Sequence, residues 1–170
     1  MMTIAQVNAL SGAAFVAQFG FLFEHSPWVV EAADAHRPFE DRDAMHAALA
    51  RVLFFASDER KLAVLRAHPK LADKAAIAQG MTKESASEQA SVGLDSLSAE
   101  EYAQFNSLNA AYAEKFAFPF IVAVRTVGGK AGVLAAMRER LDNDEATERR
   151  TAIDEVVRIV GLRLSDVVAA

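Results

Sequence analysis

The chain has 170 residues, of which 52% are hydrophobic and 24% charged, and a formal net charge of −5. That length can bury one core unaided, while the acidic balance argues against a nucleic-acid surface, which needs a basic stripe to neutralise phosphates. Cysteine is absent, which removes disulfides, Cys-ligated zinc, iron–sulfur clusters and thiol nucleophiles together.

An alanine excess with only 8 Gly and 4 Pro favours helix over sheet, and the expectation is one all-α domain over 1–170, a bundle of about eight helices. Ser11 opens the first helix, "SGAAFVAQFGFLF". Ser26 caps the second, with Pro27 at the first helical position, where a missing N–H costs nothing. In "EDRDAMHAALARVLFFAS", Met45, Leu49, Val52 and Leu53 take the spacing of one buried face. Ser57 begins the next helix, which buries Leu62 and Leu65 and stops at His68-Pro69. From Lys70 to Lys83 periodicity weakens, giving a loop with one turn of helix at most. Ser85/Glu88 and Ser98/Glu101 both fit the capping-box pattern. "AFPFIVAVRTVGG" is either a short extended segment or a buried helix. Two helices separated by Asn143-Asp144 finish the chain.

No basic start leads into an apolar run, and the longest apolar stretch, Phe116 to Val124, is too short to span a bilayer. The C-terminal "SDVVAA" is not a peroxisomal address. The expectation is a soluble cytoplasmic protein whose partner is a small molecule or a protein, with neither nucleic acid nor membrane.

Four histidines, at 25, 36, 46 and 68, form no close ligand pair, so no metal site is expected. His68 differs from the rest because proline pushes the preceding residue out of helical geometry, so the imidazole projects from the carboxyl end of a helix whose dipole favours its charged form. It is either a helix stop or a positioned proton donor. Ser85 and Glu88 are explained by capping alone, but Gln89 is not; with Glu88 it could present an acceptor and an amide fork to a urea-like ligand. Arg163, between Leu162 and Leu164, either reaches solvent or holds a carboxylate. Phe116, Phe118 and Phe120 read as core more readily than as pocket.

"FEHSPWVVEAA" with "RPF", "HPKLA" at 68–72, "SASEQASVGL" at 85–94 and "KFAFPFIVAV" at 115–124 together resemble one family, the 2-oxo-4-hydroxy-4-carboxy-5-ureidoimidazoline (OHCU) decarboxylases of uric acid degradation. The resemblance implies an all-helical, usually homodimeric carboxy-lyase without metal or organic cofactor, forming (S)-allantoin and carbon dioxide. It makes His68 the proton donor with Pro69 beside it, and places Ser85, Glu88 and Gln89 on the substrate, Glu88 also serving catalysis. Phe120, Ile121, Val122, Ala123 and Val124 match a segment whose backbone lines the pocket, and Arg163 a C-terminal arginine. Ala117 stands where Gly is usual and Val92 where Ala is usual, which bears on pocket width. The competing expectation is a helical ligand-binding or protein-interaction module without turnover. Hydroxyisourate hydrolysis belongs with a β-rich fold that this composition does not support.

Overall fold

The computed structural model describes residues 1–73 and 80–170; the middle of the loop expected between Lys70 and Lys83 lies outside the described residues. Among those described are nine α-helices, against about eight expected, and no strand beyond one isolated bridge, Met2 to Val168. They are α1 (Ile4–Asn8), α2 (Gly12–Phe19), α3 (Trp28–Ala33), α4 (Arg42–Phe54), α5 (Asp58–Ala67), α6 (Lys83–Ser91), α7 (Ala99–Phe116), α8 (Gly129–Arg140) and α9 (Glu145–Val167). The chain forms two compact units, one of Met1–Val64 with Val157–Ala170 and one of Leu65–Val156.

In the first unit, α1 was not foreseen; Thr3 caps it in a reciprocal box with Gln6. Ser11 caps α2 as expected. Ser26 does not cap α3: Pro27 occupies the cap position, without a side-chain cap bond, and the helix begins at Trp28. Asp41 caps α4, whose buried face is Met45, Leu49 and Leu53, leaving Val52 half-buried. The core gathers these with Phe15, Phe19, Leu22, Val29 and Val30. Arg37 closes the carboxyl end of α1, donating through Nη1 to the carbonyls of Val7, Asn8 and Leu10 at 3.3, 3.3 and 2.6 Å. Four terminal carbonyls of a helix lack partners of their own, and a guanidinium suits them in hydrogen bonding and in charge.

Ser57 caps α5 through the Arg60 amide. The helix buries Val64 and Leu65, with Leu62 only half-buried, and ends at Ala67 before His68-Pro69.

In the second unit, Ser98 and Glu101 form the expected capping box of α7. The Ser85/Glu88 box does not form. Thr82, three residues earlier, caps α6 and takes the Ser85 amide on its hydroxyl, so Ser85 falls inside the first turn. Residues 118–123 have no regular structure and lead into a single 3-10 turn, Val124–Thr126, so the ambiguous segment is irregular and not a buried α-helix. α6 packs against that turn. The core here is aromatic: the Tyr112 ring contacts Phe116, Phe118 and Phe120 at centroid distances of 4.7, 5.8 and 5.4 Å, the last two edge to face.

Candidate active site

The second unit brings the end of α5, the helix α6 and the segment 117–126 into one neighbourhood through directional bonds. Arg66 Nε donates to the Ala117 carbonyl at 3.1 Å, tying the turn before His68 to the start of the segment 117–126. His68 is half-buried, and its amide donates to Leu65 O at 3.3 Å.

The residues after His68-Pro69 are gripped by two buried amides. Gln89 Oε1 accepts the Ala72 amide at 3.0 Å, its Nε2 faces Lys70 O at 3.5 Å and Met81 S at 3.7 Å, and Asn109 Nδ2 donates to Leu71 O at 2.8 Å. Ala72 has φ 57, a left-handed conformation that alanine adopts only at a cost of about 1–2 kcal/mol. The Gln89 bond to its amide helps hold it there. The amide fork that sequence reasoning offered to a ligand is therefore engaged first by the protein's own backbone, although contacts as long as 3.5 and 3.7 Å leave Nε2 with donor capacity.

Ser85 and Gln89 are buried, while Glu88 is half-buried on the same helix. Gln89 and Ala72 also wall a largely apolar cavity of about 260 Å³, with Met81, Leu94 and Tyr102 among its lining and Asp73 and Asp95 as its charged members. His68 and Glu88 do not line it.

Phe120 to Val124 are all buried, and the backbone of this segment is held by charged side chains. Arg140, 8% exposed, donates Nη1 to Ile121 O at 2.6 Å, and its guanidinium lies 4.5 Å from the centre of the Phe120 ring. Its charge is met by Glu148, fully buried, which accepts Arg140 Nε at 2.8 Å, Arg140 Nη2, the Tyr112 hydroxyl, and Asn143 Nδ2 at 2.8 Å. Burial, then the Glu148 carboxylate, pushes the Tyr112 phenol far above its usual pKa, so it acts as a neutral donor. On the other side of Val122, Glu155 Oε2 accepts the Ala123 amide at 2.7 Å.

Arg163 belongs to the first unit. It is 3% exposed, donates to the Phe21 and Leu22 carbonyls at 3.2 and 3.3 Å and lies 3.9 Å from Glu24, itself fully buried. The guanidinium does not reach solvent.

A family model described as OHCU decarboxylase matches residues 8–165. The chain belongs to the OHCU decarboxylase family. It is 46% identical over 165 residues to a 2-oxo-4-hydroxy-4-carboxy-5-ureidoimidazoline decarboxylase of Haloferax volcanii, covering 97% of this chain and 95% of that one. It is 37% identical to the protein of that name from Amia calva, covering 98% and 95%. A bifunctional uric acid degradation protein of Bacillus subtilis is 33% identical, with 99% of this chain matching 33% of that one. A solved structure of (S)-allantoin synthase superposes with a TM-score of 0.80 at 29% identity; 99% of this chain is covered, and it spans 54% of that chain. An OHCU decarboxylase solved in the presence of (S)-allantoin shares the fold at a TM-score of 0.68 and 20% identity, covering 88% and 95%.

Arg140, Glu148, Asn109 and Glu155 were missed in the sequence of this family member, though a signal exists. Val133, Leu134, Met137 and Arg140 share one helical stripe, as do Glu148, Ala152 and Glu155, so charges of opposite sign stand in apolar register on consecutive helices. No helix is long and apolar enough to cross a membrane, and no group of three or more metal-ligating side chains occurs, among the described residues.

Proposed function

We propose that the chain decarboxylates OHCU to (S)-allantoin and carbon dioxide in uric acid degradation, with His68 as proton donor. The observation that carries this reading is the family match across residues 8–165, together with a histidine at a helix end whose following loop is clamped by Gln89 and Asn109. We take 1–170 as one functional domain, acting as a cytoplasmic homodimer without metal or organic cofactor.

In the reaction, the bond from the ring carbon to the carboxylate breaks and carbon dioxide leaves. The electron pair moves into the adjacent ring C=N, giving an enol whose ring nitrogen is the electron sink. His68, as imidazolium, gives its proton to one face of the neighbouring, ureido-bearing carbon, the enol hydroxyl becomes the ring carbonyl as its proton passes to the former imine nitrogen, and the imidazole recovers a proton from solvent. Pro69 shapes the pocket wall, Ser85, Glu88 and Gln89 hydrogen-bond the ureido and ring amides, and the backbone of Phe120 to Val124 completes the lining. These contacts fix orientation, and an apolar setting for the departing carboxylate lowers the cost of losing its charge. For Arg163 the resemblance implies a substrate contact.

The test uses substrate generated freshly by urate oxidation and hydrolysis, with allantoin chirality followed by circular dichroism. The wild-type protein is expected to form optically active (S)-allantoin faster than spontaneous decay, which gives a racemate. His68→Asn is expected to fold normally and to lower kcat by about 10²–10⁴-fold, the usual worth of a positioned general acid. Binding of (S)-allantoin without turnover by the wild type would favour a non-catalytic ligand-binding module instead.

A further inference from the structure

Buried backbone outside helices and sheets must find hydrogen-bond partners elsewhere. Around Val122 the two partners are charged: Arg140 takes the Ile121 carbonyl at 2.6 Å and Glu155 the Ala123 amide at 2.7 Å. Val122, between them, is 6% exposed, yet neither its N–H nor its C=O is bonded among the described residues. Buried peptide groups are nearly always paired, so a donor and an acceptor left open side by side call for a ligand.

The effort spent on the neighbours points the same way. Burying a guanidinium is costly unless it is paired and saturated with hydrogen bonds. Here Glu148 supplies the counter-charge and is itself held by Tyr112 and Asn143. Arg140 thereby becomes a fixed fork with one prong on Ile121.

We propose that Arg140 and Glu155 are positioning residues that grip the peptide groups on either side of Val122, so that the Val122 N–H and C=O stay presented as a donor–acceptor pair for a ureide or cyclic amide. This rests on the reading under Proposed function and names a further device of that site.

Arg140→Lys keeps a positive charge beside Glu148, but a compact ammonium cannot bridge Glu148 and the Ile121 carbonyl together. KM for the ureidoimidazoline is expected to rise about three- to tenfold with kcat within about twofold, the signature of a contact made equally in ground and transition states. Val133→Ala, a cavity in the same helix, serves as the control for lost stability and leaves KM unchanged. In isotope-labelled wild-type protein, (S)-allantoin is expected to shift the Val122 amide resonance, and in Arg140→Lys to do so only at higher concentration. A KM that moves no more than in Val133→Ala, or a Val122 amide that ignores (S)-allantoin, overturns the proposal. If Arg140→Lys does not fold, Glu155 decides: Gln at that position keeps an acceptor and a normal KM, Ala raises KM, and equal values overturn the clamp. A wild-type protein that fails to turn substrate over while its Val122 amide still responds to (S)-allantoin would remove the reaction and leave the clamp standing.

Discussion

Two single residues separate backbone strain from chemistry. Ala117 ends α7 at φ 59, ψ 22, a left-handed cap at which a Cβ is strained and glycine is not. The glycine that the resemblance implies at this place would relieve that strain: residue 117 is exposed and serves the turn, so alanine there bears on strain rather than on pocket width. Ala117→Gly is expected to stabilise the protein by about 0.5–1 kcal/mol, the relief of strain less the entropy glycine gains when unfolded, raising the melting temperature by about 1–4 °C. A lower melting temperature would mean that the cap is unstrained. Glu88 poses the opposite case. With Thr82 as the cap of α6, Glu88 has no part in starting the helix, so Glu88→Gln is expected to change stability by less than about 0.5 kcal/mol. If its charge contacts substrate or His68, kcat/KM falls by about ten- to a hundredfold, the worth of a charge-assisted bond of roughly 1.5–3 kcal/mol. Unchanged kcat/KM on a preparation with unchanged melting would remove Glu88 from the site.

The start of α7 carries a pH dependence that belongs to the element as a whole. The Ser98 amide, then the Lys130 ammonium, holds the Glu101 carboxyl below its ordinary 4.5. A depressed folded value contributes stability that is present above pH 4.5 and is lost as pH falls through the lowered folded value. Glu101→Gln keeps a capping acceptor but cannot titrate, so its melting temperature is expected to fall below the wild type's at pH 6 and to approach it at pH 3. A gap independent of pH would assign the effect to packing. Elements of this kind were legible because their signals are local: Ser98 and Glu101 sit three residues apart with nothing competing upstream. In "TKESASE" two cap residues compete, Thr82 and Ser85, and only Ser85 has a glutamate three residues on, so the pattern favours Ser85 although Thr82 is the cap. The positioning of the site was not legible for a different reason. Gln89 bonds backbone 17 residues away, Arg140 reaches Ile121 19 residues back, and Tyr112 meets Glu148 across 36. The residue types that do this are visible in the sequence, but Gln89 and Arg140 meet backbone groups that carry no side-chain signature, and Tyr112 meets the Glu148 side chain only once the chain has folded.

Across the whole molecule, the chain returns on itself in the first unit. The Met2 amide donates to Val167 O at 2.8 Å and the Ala169 amide to Met2 O at 2.9 Å, while Arg42 Nη1 reaches Val168 O at 3.4 Å. Val168 has no exposed surface. Burying a valine side chain is worth about 1.5–3 kcal/mol and each net hydrogen bond about 0.5–1.5 kcal/mol. Removing residues 168–170 keeps Val167 O for the Met2 amide but removes the buried Val168 side chain and the Ala169 bond to Met2 O, for an expected loss of about 2–4 kcal/mol. In a chain of this size that corresponds to a melting temperature lower by roughly 5–15 °C. The residues proposed for substrate all precede the cut, so kcat/KM measured well below the melting transition is expected to stay within about twofold of the full chain. Melting within about 1 °C of the full chain would show that the terminal bridge contributes nothing in solution. Lost turnover in a truncated protein still fully folded at the assay temperature would place the carboxyl end in the chemistry, and the assignment of the proton-donor and binding roles to residues 68–163 would have to be extended.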